Sequence, residues 1–109
     1  MEKIKIIYKE VGKKAKELEV KNDLNELQKL VEGYIQVVPY KDVLLVCNEE
    51  GKIRGLKPNI NLGYDIIVGN CFIVGEKGEE FASVEENRIN QFIDELNEKE
   101  IIEEEEEIE

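Results

Sequence analysis

Few side chains in this chain of 109 residues can do covalent or acid–base chemistry. There is no His, Thr or Trp, there are two cysteines, and Ser83 is the single serine. Cys47 closes the apolar run VLLVC and Cys71 opens the run CFIV, so both read as buried thiols that behave as small hydrophobes. A serine or cysteine nucleophile needs a neighbouring base, most often His, and neither cysteine has one. Ser83 and Glu86 stand at capping-box spacing and predict the start of a helix rather than a nucleophile. Two cysteines fall short of the roughly four Cys or His ligands of a zinc site. A disulfide between them needs a geometry that spacing does not disclose. The paired carboxylates Glu49/Glu50 and Glu79/Glu80 lie in turn-like stretches and read as solvated acids. The loops NEEGK and GEKGEE place acids where a phosphate cradle would need donors. The inventory predicts a protein that is not an enzyme and takes no metal and no cofactor.

Charge is the stronger signal. The net charge is -11, yet residues 94–109 alone carry ten acids against one base, Lys99, which leaves residues 1–93 with 16 acids and 14 bases. The acidity therefore belongs to the C-terminal end. A dense block of carboxylates can imitate nucleic acid and occupy the basic groove of a protein that binds DNA or RNA. Glu98, Glu100, Glu103, Glu104, Glu105, Glu106 and Glu107 are the candidate partner-binding residues. Direct nucleic-acid binding is disfavoured, because such a tail repels phosphates. Seven of the 15 basic residues fall in residues 1–21 and read as a solvated lysine face that also guards a sheet edge.

The elements that must position these groups follow from periodicity. Ile4, Ile6 and Tyr8 alternate with Lys3, Lys5 and Lys9, the period of a half-buried strand, and Leu18 and Val20 mark a returning one. Asp23 and Glu26 cap a helix whose stripe is Leu24, Leu27, Leu30 and Val31, with Gly33 as its stop. Residues 34–38 read as a strand ended by Pro39, and residues 43–47 as its partner. Ile53 and Leu56 suggest a short extended piece, while residues 57–63, KPNINLG, read as the long irregular loop of the body. Residues 66–68 and 71–74, separated by Gly69, read as a pair of buried strands at the centre of the sheet. Ile89, Phe92, Ile93 and Leu96 give a last helix one apolar face. The expected fold is one α+β domain over residues 1–99, with a largely antiparallel sheet covered on one face by two amphipathic helices, the other face or an edge being left open. Residues 100–109 are expected to form an acidic tail, frayed or disordered. No signal peptide or membrane-length apolar run is present, so a cytoplasmic protein is expected.

A second functional reading places a small-ligand site, for a nucleotide signal, in the 48–70 region. Asn48, Arg54, Asn59, Asn61, Tyr64 and Asn70 would supply its hydrogen bonds and one positive charge. A third has an open sheet edge pairing with a second copy to form a homodimer.

With these motifs in hand, the chain resembles the family known as domain of unknown function 3846. The matching pieces are KIIYKEVGKK, GYIQVVP, LLVCNEEGK, LKPNINL, DIIVGNCFIVG and FASV, which span most of residues 3–84. Three positions depart from the family pattern. Lys57 and Ile60 stand where the loop L-P-P-N-R has its first proline and its arginine, and Asn70 replaces a threonine-like residue after the DIIVG glycine. The resemblance implies no catalytic residue. It implies a setting, that of small proteins of phages and mobile elements in Gram-positive bacteria, many of which bind host machinery. The function expected is therefore a phage-type accessory protein that inhibits a host nucleic-acid enzyme or defence effector, in the manner of an anti-CRISPR protein.

Overall fold

The computed structural model describes residues 2–102. Its main sheet is antiparallel throughout, with strands β1 (Lys3–Lys9), β2 (Lys16–Lys21), β3 (Ile35–Tyr40), β4 (Val43–Asn48) and β7 (Cys71–Lys77) in the spatial order β2-β1-β7-β4-β3. A short strand, β8 (Glu80–Ala82), folds back on the far end of β7. Strands β5 (Pro58–Asn61) and β6 (Ile66–Val68) pair only with each other, as a second small sheet. Helix α1 (Leu24–Val31) joins β2 to β3, and α2 (Ile89–Glu98) follows a 3-10 turn at Glu86–Arg88.

The two helices lie on opposite faces of the main sheet, which corrects the expectation that both cover one face. Leu27 and Val31 of α1 pack with Ile4, Ile6, Tyr8, Val46, Phe72 and Val74. Ile89, Phe92 and Leu96 of α2 pack with Ile7, Leu45 and Ile73, where Ile60 and Ile67 of the small sheet join them. The central strands are therefore apolar on both faces, and Phe72, Ile73 and Val74 are all fully buried. A strand covered on both sides loses its alternation and reads as a continuous apolar run. That is why residues 71–74 stand out in the sequence as the middle of the fold.

Several local expectations are revised. Residues 57–63 are not an irregular loop, since β5 runs through them and buries Asn59 and Ile60. Residues 66–68 pair with β5 and not with the main sheet. The piece around Ile53 and Leu56 is a series of turns. Pro39 lies inside β3, which is possible because β3 is an edge strand and its outward groups need no partner. Glu32, and not Gly33, takes the left-handed conformation that ends α1, with φ 62°. Gly33 is required for a different reason: a Cβ there would sit 2.7 Å from Asn48 Nδ2. Asp23 caps α1 as expected, accepting a hydrogen bond from the Asn25 N–H. Ser83 and Glu86 cap no helix. Ser83 Oγ accepts from the Lys5 backbone N–H at 2.9 Å, and Glu86 accepts from Lys5 Nζ at 3.0 Å, so both residues fasten the crossing chain to the middle of β1.

Gly75 sits where that crossing is tightest. A Cβ on it would approach the Ser83 carbonyl oxygen to 2.6 Å, a backbone atom with no freedom to move aside. Gly75→Ala should therefore lower stability by about 2 kcal/mol in urea denaturation, the range of overpacked core positions. Gly78→Ala, at φ +66° with open space around it, should cost only about 1 kcal/mol.

Candidate functional site

Lys9 is the residue that sequence reasoning placed most wrongly. It is not part of a solvated face but is fully buried at the end of β1. Its ammonium has three donors and meets three acceptors: Glu10 O at 2.9 Å, Asn59 Oδ1 at 3.0 Å and Glu100 Oε1 at 2.8 Å. Asn59, itself 1% exposed, donates its amide to Lys9 O and Gly69 O, both at 2.9 Å. Glu100 is held from its backbone as well. Asn61 N–H donates to Lys99 O, Ile101 N–H donates to Asn59 O, and Ile60 and Glu100 form an antiparallel bridge. Residues 99–101 thus run along β5 as a strap. One signal for this was present in the sequence: Ile7 shares the face of Lys5 and Lys9, and an apolar residue there implies that the face becomes covered.

A second charged cluster joins the β3–β4 hairpin to α2. Glu95 accepts hydrogen bonds from the Tyr40 hydroxyl, from Lys41 Nζ at 2.8 Å and from Gln91 Nε2 at 2.9 Å. Arg88 pairs with Asp42 and lies over the Phe92 ring, 4.6 Å from its centroid. Partial burial pushes the Glu95 carboxyl up, but the three donors outweigh it and bring the group down to about 2. Burial and the Glu95 carboxylate push the Tyr40 phenol well above its ordinary value.

The six residues of the small-ligand reading are dispersed. Asn48 Nδ2 donates to Val31 O and Arg54 donates to Glu32 O, both at 2.9 Å, so this pair satisfies carbonyls at the end of α1. Asn59 belongs to the Lys9 cluster. Asn61 Oδ1 accepts from Gly63 N–H in the exposed turn, and Tyr64 donates to Pro39 O. Asn70 accepts from Val11 N–H and donates to the Tyr8 hydroxyl. A groove of about 160 Å³ passes Asn48 and Cys47, with the Lys52–Asp65 ion pair along its wall.

Of the acidic candidates, Glu98 is exposed and Glu100 is engaged with Lys9. A shallow depression of about 450 Å³ brings both together with Asn61. Glu103, Glu104, Glu105, Glu106 and Glu107 lie outside the described residues. Both cysteines are free and buried, and burial raises each thiol, that of Cys47 to about 11. Among the described residues no three His, Cys, Asp or Glu side chains are grouped to hold a metal, and no helix is long and apolar enough to cross a membrane.

Two outcomes are expected from these clusters. Lys9→Met should cost about 3 kcal/mol in urea denaturation, because it strands Asn59 and Glu100. In a double-mutant cycle with Glu100→Gln, the two losses should fall short of adding by more than about 1 kcal/mol. The folded value of Glu95 lies below its ordinary 4.5, so its stabilisation is complete above that pH and is lost as pH falls toward 2. Glu95→Gln should therefore destabilise the protein at pH 7, with a difference from the parent that shrinks between pH 4.5 and pH 2 in melts across that range.

A family model described as Domain of unknown function (DUF3846) matches residues 4–97 of the chain. No curated protein and no solved structure matches it.

Proposed function

The chain belongs to the DUF3846 family, and on that premise we propose that it is a non-enzymatic, cytoplasmic accessory protein of phage type. In this reading it binds a host protein with a basic groove, such as a nuclease or another nucleic-acid enzyme of bacterial defence, and inhibits it by occupying that groove. The observation that carries the reading is the placement of charge: ten of the 26 acids fall in residues 94–109, beside a body that is nearly neutral. Long-range attraction to such a block speeds encounter with a cationic partner. The described part of the chain supports the same reading. Residues 99–101 are held along β5, and exposed Glu98 lies beside them. Glu100 supports the root of the acidic block rather than adding to its free charge, since Lys9 already neutralises it.

We prefer this reading to a nucleotide-binding module for one reason. Asn48, Asn59 and Asn70 already engage their amides within the fold, and Arg54 is turned to the end of α1.

The test is capture from a bacterial lysate at low and at high salt, followed by calorimetry on the partner recovered. Replacing Glu103 to Glu107 with Gln should weaken binding at least ~10-fold and flatten its dependence on salt. Equal affinity for parent and variant would remove the tail from the mechanism.

A further inference from the structure

Strands β4 and β7 pair antiparallel with Leu44 opposite Val74, Leu45 opposite Ile73 and Val46 opposite Phe72. One further step of that register sets Cys47 directly opposite Cys71. Both side chains belong to the same buried cluster, so both point to the α2 face. Directly opposed residues of an antiparallel pair have Cα atoms about 4.5–5.5 Å apart, within the window that a disulfide spans. The two positions also sit at a topological neck. The chain leaves the main sheet after Asn48, builds the turns and the β5–β6 sheet, and returns to it at Cys71.

We propose that Cys47 and Cys71 are a reversible redox pair, which a hydroperoxide converts in place to a cross-strand disulfide that ties off the β5–β6 excursion. Cys47 is the sulfur that meets the oxidant, because it lines the groove beside Gln36, Ile53 and Ile66, whereas Cys71 has no exposed surface. The Cys47 sulfur attacks one oxygen of hydrogen peroxide and the O–O bond breaks. The departing hydroxide takes the thiol proton and leaves as water, and Cys47 becomes a sulfenic acid. The Cys71 sulfur then attacks the Cys47 sulfur, and the displaced hydroxide leaves as water with the Cys71 proton. Two thiols lose two electrons and two protons, and one peroxide becomes two waters. Burial raises both thiols, so little thiolate is present and the pair reacts more slowly than an activated cysteine.

The experiment treats the folded full chain with hydrogen peroxide, quenches in acid and maps the product by mass spectrometry without reduction. Trypsin does not cut between Lys57 and Pro58, so the linked product is residues 42–52 joined to residues 55–77. The expected result is an intact chain lighter by two hydrogens that yields this one linked pair and reverts with dithiothreitol. Two unreacted thiols, a sulfinic acid at Cys47, or linkage between chains would each overturn the proposal. The mapping uses the unaltered chain, so no variant has to fold.

Discussion

An ammonium removed from water must find partners for all of its donors, and in this fold that demand is met at one point. Desolvating such a charge costs several kcal/mol unless the geometry of its pairing is good. Lys9 meets the requirement with acceptors from three places: the next residue of its own chain, β5, and the strap after α2. Asn59 extends the cluster to the turn before β7 through Gly69 O. The end of β1, the small sheet and the C-terminal strap are therefore located relative to one another by directional bonds. An apolar side chain could fill the same space, but it would not dictate which segment covers it.

The parts of the fold that were legible in the sequence are those decided locally. The alternation of Ile4, Ile6 and Tyr8, the cap at Asp23 and the apolar run at residues 71–74 each reflect the period or end chemistry of a single element. The parts that were not legible depend on partners far along the chain. Asn and Pro within residues 57–63 carry turn chemistry, and only the amide of Asn59 facing Lys9 and Gly69 explains why a strand forms there. Ser83 and Glu86 have the spacing of a helix cap, yet Lys5, 78 and 81 residues away, presents better donors. The same holds for the candidate site residues. Asn48, Arg54 and Asn70 are polar residues in loop-like stretches, and what they bind is the fold itself, mostly its backbone.

The two charged clusters do different work. The Lys9 cluster is buried and fixes segments in place. The Glu95 cluster is partly exposed and clamps α2 to the β3–β4 hairpin, with Tyr40 stacked edge-on to Phe92 beneath it. Both end near the C-terminal stretch where the acids accumulate. Within the described residues, the start of the acidic stretch is thus tied to the fold by Lys41, Lys9 and β5.

The strap has a consequence for synthesis on the ribosome. Lys9 emerges early and Glu100 lies 91 residues later, so the buried ammonium cannot obtain its carboxylate until that residue has cleared the exit tunnel. Strands β1 and β2 and helix α1 can collapse while translation continues. The core beneath α2 can close only afterwards, and until then the nascent chain carries an unmatched cation at the end of its first strand.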